Sequence, residues 1–176
     1  MDSISKAAKI MYAHHEGIYV LQLVGDVRLT LCTTFDAFLE KMFVDVKLSG
    51  VLIDLNRAVA LDSTTLGLLA KIAVKMQEKN LPPPMILSTN SGINLLLDGM
   101  GFRKIFYIIT ANMFEMTSGY ELTESPSEPI TCLEKVLEAH RVLMNLNDKN
   151  HDTFKSVVAI LEAEKKGGPW MQQSGP

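Results

Sequence analysis

Few residues in this chain have types and spacing that could do chemistry, and most of them fall in one place. Asp62-Ser63-Thr64-Thr65 sets a carboxylate and three hydroxyls in a row. They stand just before Leu66, Leu69, Ala70 and Ala73, which recur at helical spacing, with Met76 close to the same face. Such side chains accept hydrogen bonds from the free N–H groups that open a helix, so Ser63 reads as lying at a helix N-terminus or one residue inside it. The same position suits a covalent switch. A phosphoserine carries about −1.5 to −2 charges at neutral pH, which a helix dipole tolerates and a partner surface built for a neutral hydroxyl rejects. The two readings are compatible, because a cap exposed at a sheet edge is also reachable by a kinase. Ser63 as a nucleophile would need a base beside it. The four histidines, His14, His15, His140 and His151, lie far off in sequence, with no elbow motif and no Gly-x-x-x-x-Gly-Lys phosphate loop. The expectation is a kinase substrate and not an enzyme.

Other candidates for chemistry are weaker. His14-His15 invites a metal, but neighbours on an extended chain point to opposite faces and no Cys or His cluster completes a ligand set. Cys32 and Cys132 are too far apart in sequence to read as a disulfide framework or a metal site, and reduced thiols in a cytoplasmic protein are the simpler expectation. No cofactor is expected. The chain has 176 residues, 47% hydrophobic and 21% charged, with a net charge of −3, enough for one packed domain plus an extension. That mild acidity lacks the basic patch of a nucleic-acid binder. No apolar run reaches the ~18 residues of a membrane span, and Met1 to Lys6 lack the pattern of a signal peptide.

The elements that must position Ser63 follow from periodicity. Gly50 to Asn56 reads as a buried strand leading into the Ser63 helix. Before it, Ala8 to Ala13 reads as an edge strand, His14 to Gly17 as a turn, and Ile18 to Val24 as a second strand. Phe35, Phe38, Leu39, Met42 and Phe43 make one apolar helix face, with Thr33 or Thr34 as cap and Asp36 in the first turn. Pro82-Pro83-Pro84 stops the Ser63 helix. A strand from Met85, a helix from Ile93 to Met100 and a last strand from Phe106 to Ile109 complete the order β-β-α-β-α-β-α-β. This predicts an α/β fold, a mixed sheet of four to five strands with helices on one side. Beyond it, two amphipathic stripes appear. Ile130, Leu133, Leu137, His140 and Met144 form one; Phe154, Val157, Val158 and Leu161 form the other. Packing of these helices on the domain is the default, with pairing, dimerisation or a partner helix as alternatives. His140 reads as an edge residue of its stripe.

The stretch from Leu61 to Leu69, behind a strand, resembles the signature of the STAS domain, the fold of bacterial anti-sigma-factor antagonists. That family usually has Asp-Ser-(Ser/Thr)-Gly-(Leu/Ile)-Gly after its third strand. Asp62, Leu66 and Gly67 match; Thr65 stands where the family usually has Gly. Gly101-Phe102 matches a recurring pair after the third helix, and the resemblance covers roughly residues 8 to 115. It implies that Ser63 is phosphorylated by an anti-sigma kinase and restored by a serine phosphatase. It also implies that Asp62, Thr64, Thr65, Leu66, Gly67, Asp26 and Arg28 meet an anti-sigma factor or equivalent kinase regulator. Thr65 puts the identity of that partner in question, because its Cβ and hydroxyl could block a close backbone approach. The alternative within the resemblance is a non-catalytic subunit that docks on a lipid or anion transporter ATPase. The expected organisation is a STAS-like domain over 1–117, a linker over 118–129, a helical extension over 130–165 and a disordered tail over 166–176.

Overall fold

Apolar residues run consecutively in the two longest strands, Ile18 to Leu21 and Val51 to Ile53, and both strands lie at the centre of the sheet. The computed structural model describes residues 7–112, 115–123 and 128–167. In order, its elements are β1 (Lys9–His15), β2 (Ile18–Val27), α1 (Cys32–Val44), β3 (Gly50–Leu61), α2 (Ser63–Glu78), β4 (Met85–Leu87), α3 (Ser91–Gly99), β5 (Tyr107–Ile109), β6 (Tyr120–Glu121), α4 (Pro129–Met144) and α5 (Asp148–Gly167). The sheet order is β5-β4-β3-β2-β1-β6. Strands β2 to β5 are mutually parallel, while β1 runs antiparallel to both β2 and β6. The fold is therefore mixed α/β, in the expected element order.

Leu21 and Leu23 of β2, Ile53 and Leu55 of β3, and Ile86 of β4 are fully buried, and they join Phe35, Leu39 and Met42 of α1 and Leu66, Leu69 and Met76 of α2 in one core. The intervening positions carry a polar pair. Gln22 and Asp54 face each other across β2 and β3, and Gln22 Nε2 donates to Asp54 Oδ2 at 2.8 Å.

Several boundaries differ from expectation for local reasons. The sheet has six strands, because two residues inside the supposed 118–129 linker pair with β1 and Leu122 N donates to the Ile10 carbonyl at 2.9 Å. β1, expected as an edge, is thus covered where an open ladder would have stood. Thr33 and Thr34 do not cap α1. A 3-10 turn over Leu29–Leu31 leads straight into Cys32, so both threonines lie inside the first turn and Asp36 lies beyond it. α5 begins at Asp148 and continues to Gly167, past the expected limits of loop and tail. The readings made for residues 1–6, Met113, Phe114, 124–127 and 168–176 fall outside the described residues. Among the described residues no helix is long and apolar enough to cross a membrane.

The two C-terminal helices pack in cis. α4 lies against α2 and α1, and α5 lies against α4. Leu137, Ala139 and Leu143 of α4 and Phe154 and Val158 of α5 are buried. α2 and α4 meet tightly at Gly67, where a Cβ would stand 2.3 Å from the Ala139 carbonyl oxygen. The helix axes can be this near only because that position has no side chain.

Gly67→Ala separates the two contributions by sign. Helix propensity alone would stabilise an exposed helix by about 1 kcal/mol. Here overpacking against α4 should outweigh that gain and leave a net loss of about 1–3 kcal/mol in urea denaturation. A gain in stability would mean that α4 does not rest on Gly67 in solution.

Candidate functional site at the start of helix α2

β3 delivers the chain to Asp62, whose extended backbone makes it the N-cap of α2. Its Oδ1 accepts from Thr65 N at 2.8 Å, satisfying one of the free donors that open the helix. Its Oδ2 accepts from Leu29 N, also at 2.8 Å. One carboxylate therefore caps α2 and ties the loop after β2 to it. Thr65 fastens the same junction from inside, its hydroxyl donating to the Val27 carbonyl at 3.3 Å. The Thr65 side chain thus turns into the protein.

Ser63 is the first residue of α2 and is half-buried. Its hydroxyl lies 2.9 Å from His140 Nε2 on α4. The other imidazole nitrogen, Nδ1, stands 2.7 Å from the Val136 carbonyl oxygen. A carbonyl only accepts, so Nδ1 carries a proton, and in the neutral ring Nε2 is left to accept the Ser63 O–H. His140 is 5% exposed and packs edge-on to Phe154 of α5. The expected edge residue is therefore a buried partner of the candidate serine.

Two turns further along α2, Lys71 meets a cluster of carboxylates. It is 4% exposed, with Nζ 2.7 Å from Asp36 Oδ1 on α1, 2.8 Å from Glu40 Oε1 on α1 and 2.8 Å from Glu138 Oε1 on α4. Lys135 of α4 reaches Asp36 Oδ2 at 2.7 Å. Burial alone would lower the Lys71 pKa; the hydrogen bonds it donates to Asp36, Glu138 and Glu40 outweigh it and hold the ammonium above its ordinary value. Lys135 shifts upward too, chiefly through its hydrogen bond to Asp36. Asp36, expected to sit beside a helix dipole, is instead a carboxylate 1% exposed and shared by two lysines.

Ser63, Gly67 and Lys71 are thus one stripe at intervals of four, and the whole stripe faces α4. The Cys32 and Cys132 thiols also meet on this side, Sγ to Sγ 3.9 Å, joining the start of α1 to α4. Of the residues expected to face a partner, Thr64, Thr65, Leu66 and Gly67 are buried within the chain. Asp26, Arg28 and Asp62 remain at the surface around Ser63. Arg28 is 66% exposed and pairs with Asp26 at 2.7 Å. Its hydrogen bond holds the Asp26 carboxyl below the usual range. Leu29, 42% exposed beside Asp62, joins this rim and was not foreseen.

The Ser63–His140 pair has the atoms of a nucleophile and its base, oriented by a carbonyl. Two hollows of about 600 Å³ and 620 Å³ lie elsewhere, one around Gln22, Asp54 and Arg57 and one around Tyr12, Tyr19 and Phe38. Neither includes Ser63 or His140. The serine hydroxyl meets a packed helix there, and the geometry is that of a tie between α2 and α4.

No protein-family model matches the chain, and no curated protein matches it in sequence. Among solved structures it is similar to the anti-sigma factor antagonist SpoIIAA in its unphosphorylated form, with a TM-score of 0.48 and 13% identity. That alignment covers 58% of this chain and 89% of the SpoIIAA chain.

The lysine network predicts both a mutant and a pH effect. Asp36→Ala leaves two ammonium groups short of a carboxylate and should cost on the order of 3 kcal/mol in urea denaturation. Because the folded Lys71 and Lys135 pKa values are raised, their contribution is whole below the unfolded lysine value of about 10.4 and is lost as pH rises through the folded values. Stability should therefore show no lysine-linked change from neutrality to about pH 10 and decline above it, less steeply in Lys71→Met. Equal alkaline slopes in the two proteins would contradict the assignment.

Proposed function

We propose that this chain is a STAS-like regulator of the anti-sigma-antagonist type. It binds an anti-sigma factor or equivalent kinase regulator when unmodified and lets go when Ser63 is phosphorylated. One observation carries this reading: the hydroxyl of Ser63, at the first turn of a helix that follows a central strand, is matched to a single buried acceptor, His140 Nε2, 2.9 Å away. The sequence motif around Asp62, Leu66 and Gly67 supports it.

Phosphorylation would act on both sides of that contact. The modified oxygen has no proton to donate, so a phosphate oxygen would confront the Nε2 lone pair. A tetrahedral phosphate also exceeds the room left by a hydroxyl. On the α2 side, by contrast, negative charge at the helix N-terminus is favourable. The strain therefore falls on α4, and phosphorylation loosens α4 while leaving α2 in place. The partner surface of the unmodified protein is the rim of Asp26, Arg28, Leu29 and Asp62 together with the outer side of the docked α4. Adding charge at Ser63 and moving α4 spoils that surface twice over. A loss of about 4 kcal/mol is enough to lower partner affinity roughly a thousandfold.

Affinity capture from the native host, with Ser63→Ala and Ser63→Asp as baits and bound proteins identified by mass, tests the reading. The Ala form should retain an anti-sigma or kinase partner that the Asp form loses. Retention of the same partner by both forms would refute the switch, and a transporter ATPase among those partners would establish the docking-subunit alternative.

A further inference from the structure

We propose that Cys32 and Cys132 form a reversible disulfide, a modification site that latches α4 onto the domain. Cys32 is the first residue of α1 and Cys132 lies in the first turn of α4. Their sulfurs are 3.9 Å apart across the interface between the two helices. A disulfide needs about 2.0 Å, a closure within reach of side-chain rotation between helices already in contact. The residues that surround the pair hold α4 in this register: Asp36, one turn beyond Cys32, grips Lys135, less than a turn beyond Cys132.

The two thiols are unlike. Cys32 is 3% exposed, and burial, with its neighbour Cys132 next in effect, pushes its thiol up to about 12. Cys132 is only half-buried. Reaction therefore starts at Cys132, with a small-molecule disulfide of the glutathione type as oxidant. The Cys132 thiolate attacks one sulfur of that disulfide and expels one small thiolate, leaving a mixed disulfide on Cys132. Cys32 then loses its proton, attacks Cys132 Sγ and expels the second small thiol. In all, two protein thiols are oxidised to one disulfide, and one small disulfide is reduced to two small thiols. The high pKa of Cys32 makes the second step slow, so the bridge answers a sustained oxidising poise. Once made, the bridge closes a long loop and removes the freedom of α4 to leave.

This inference rests on the reading of α4 as the element that moves, yet its test needs neither partner nor kinase. The full-length protein is incubated with oxidised glutathione, then analysed by intact mass, peptide mapping and amide hydrogen exchange, before and after dithiothreitol. The expected product is a monomer lighter by two hydrogens with Cys32 linked to Cys132. Peptides of α4 should exchange more slowly, and dithiothreitol should reverse both changes. Cys32→Ser and Cys132→Ser, examined separately, should each stop at a glutathione adduct or free thiol with α4 exchange unchanged from the reduced wild type. Stable glutathione adducts on wild type, intermolecular dimers, or unreacted thiols would overturn the latch. So would a bridge that forms without slowing α4. If the bridge forms and slows α4 while Ser63→Asp keeps its partner, the latch stands and the phosphorylation reading falls.

Discussion

The contact on which this structure depends is the approach of α4 to α2 at Gly67. The missing side chain lets the Ala139 backbone come within 2.3 Å of where a Cβ would be, and every other tie between the helices relies on that distance. At one end of the stripe it brings His140 to Ser63; at the other it brings Glu138 and Lys135 to Lys71 and Asp36. Moving the helices apart would break all of these at once. The Lys71–Asp36 pair would keep its own bond but lose its cover. Such an interface is held by polar groups as much as by apolar area. Buried ion pairs are close to neutral for stability when intact and costly when one member is removed, so this kind of contact is well suited to being shifted by one added charge.

The local elements were legible because their signals are local. The apolar run before Asp62, the 3.6-residue spacing of Leu66, Leu69 and Ala73, and the three prolines after Leu81 each mark a boundary without knowledge of the rest of the chain. The order of eight elements from β1 to β5 follows from such marks. Ser63 at the helix start was legible for the same reason, since Asp, Ser and Thr preceding an apolar stripe have little else to do but cap.

What escaped the sequence depends on tertiary contact. Ser63 meets His140 and Cys32 meets Cys132 only because α4 returns to the domain after a long excursion, and no periodicity encodes where a helix docks. Asp36 looked like a dipole partner until α1, α2 and α4 converged on it and brought it to Lys71 and Lys135. One sign was present and went unread. Ser63, Gly67 and Lys71 fall at i, i+4 and i+8, a hydroxyl, a gap and a cation in line, the pattern of a helix face prepared for another helix rather than for water. Thr65 put partner identity in question through its Cβ and hydroxyl, and no local pattern shows that the hydroxyl donates to Val27 O, 38 residues away in sequence. β6 was missed because a two-residue strand has no period to detect.

The central claim is that modification of Ser63 is felt by α4. Amide hydrogen exchange on the full-length protein carrying phosphoserine at position 63, installed by semisynthesis, measures this without any partner. The account predicts faster exchange across residues 129–144 than in the unmodified protein, with the sheet strands β2 and β3 unchanged. Unaltered protection of α4 in the phosphorylated protein would contradict it, leaving Ser63 as a structural tie between two helices.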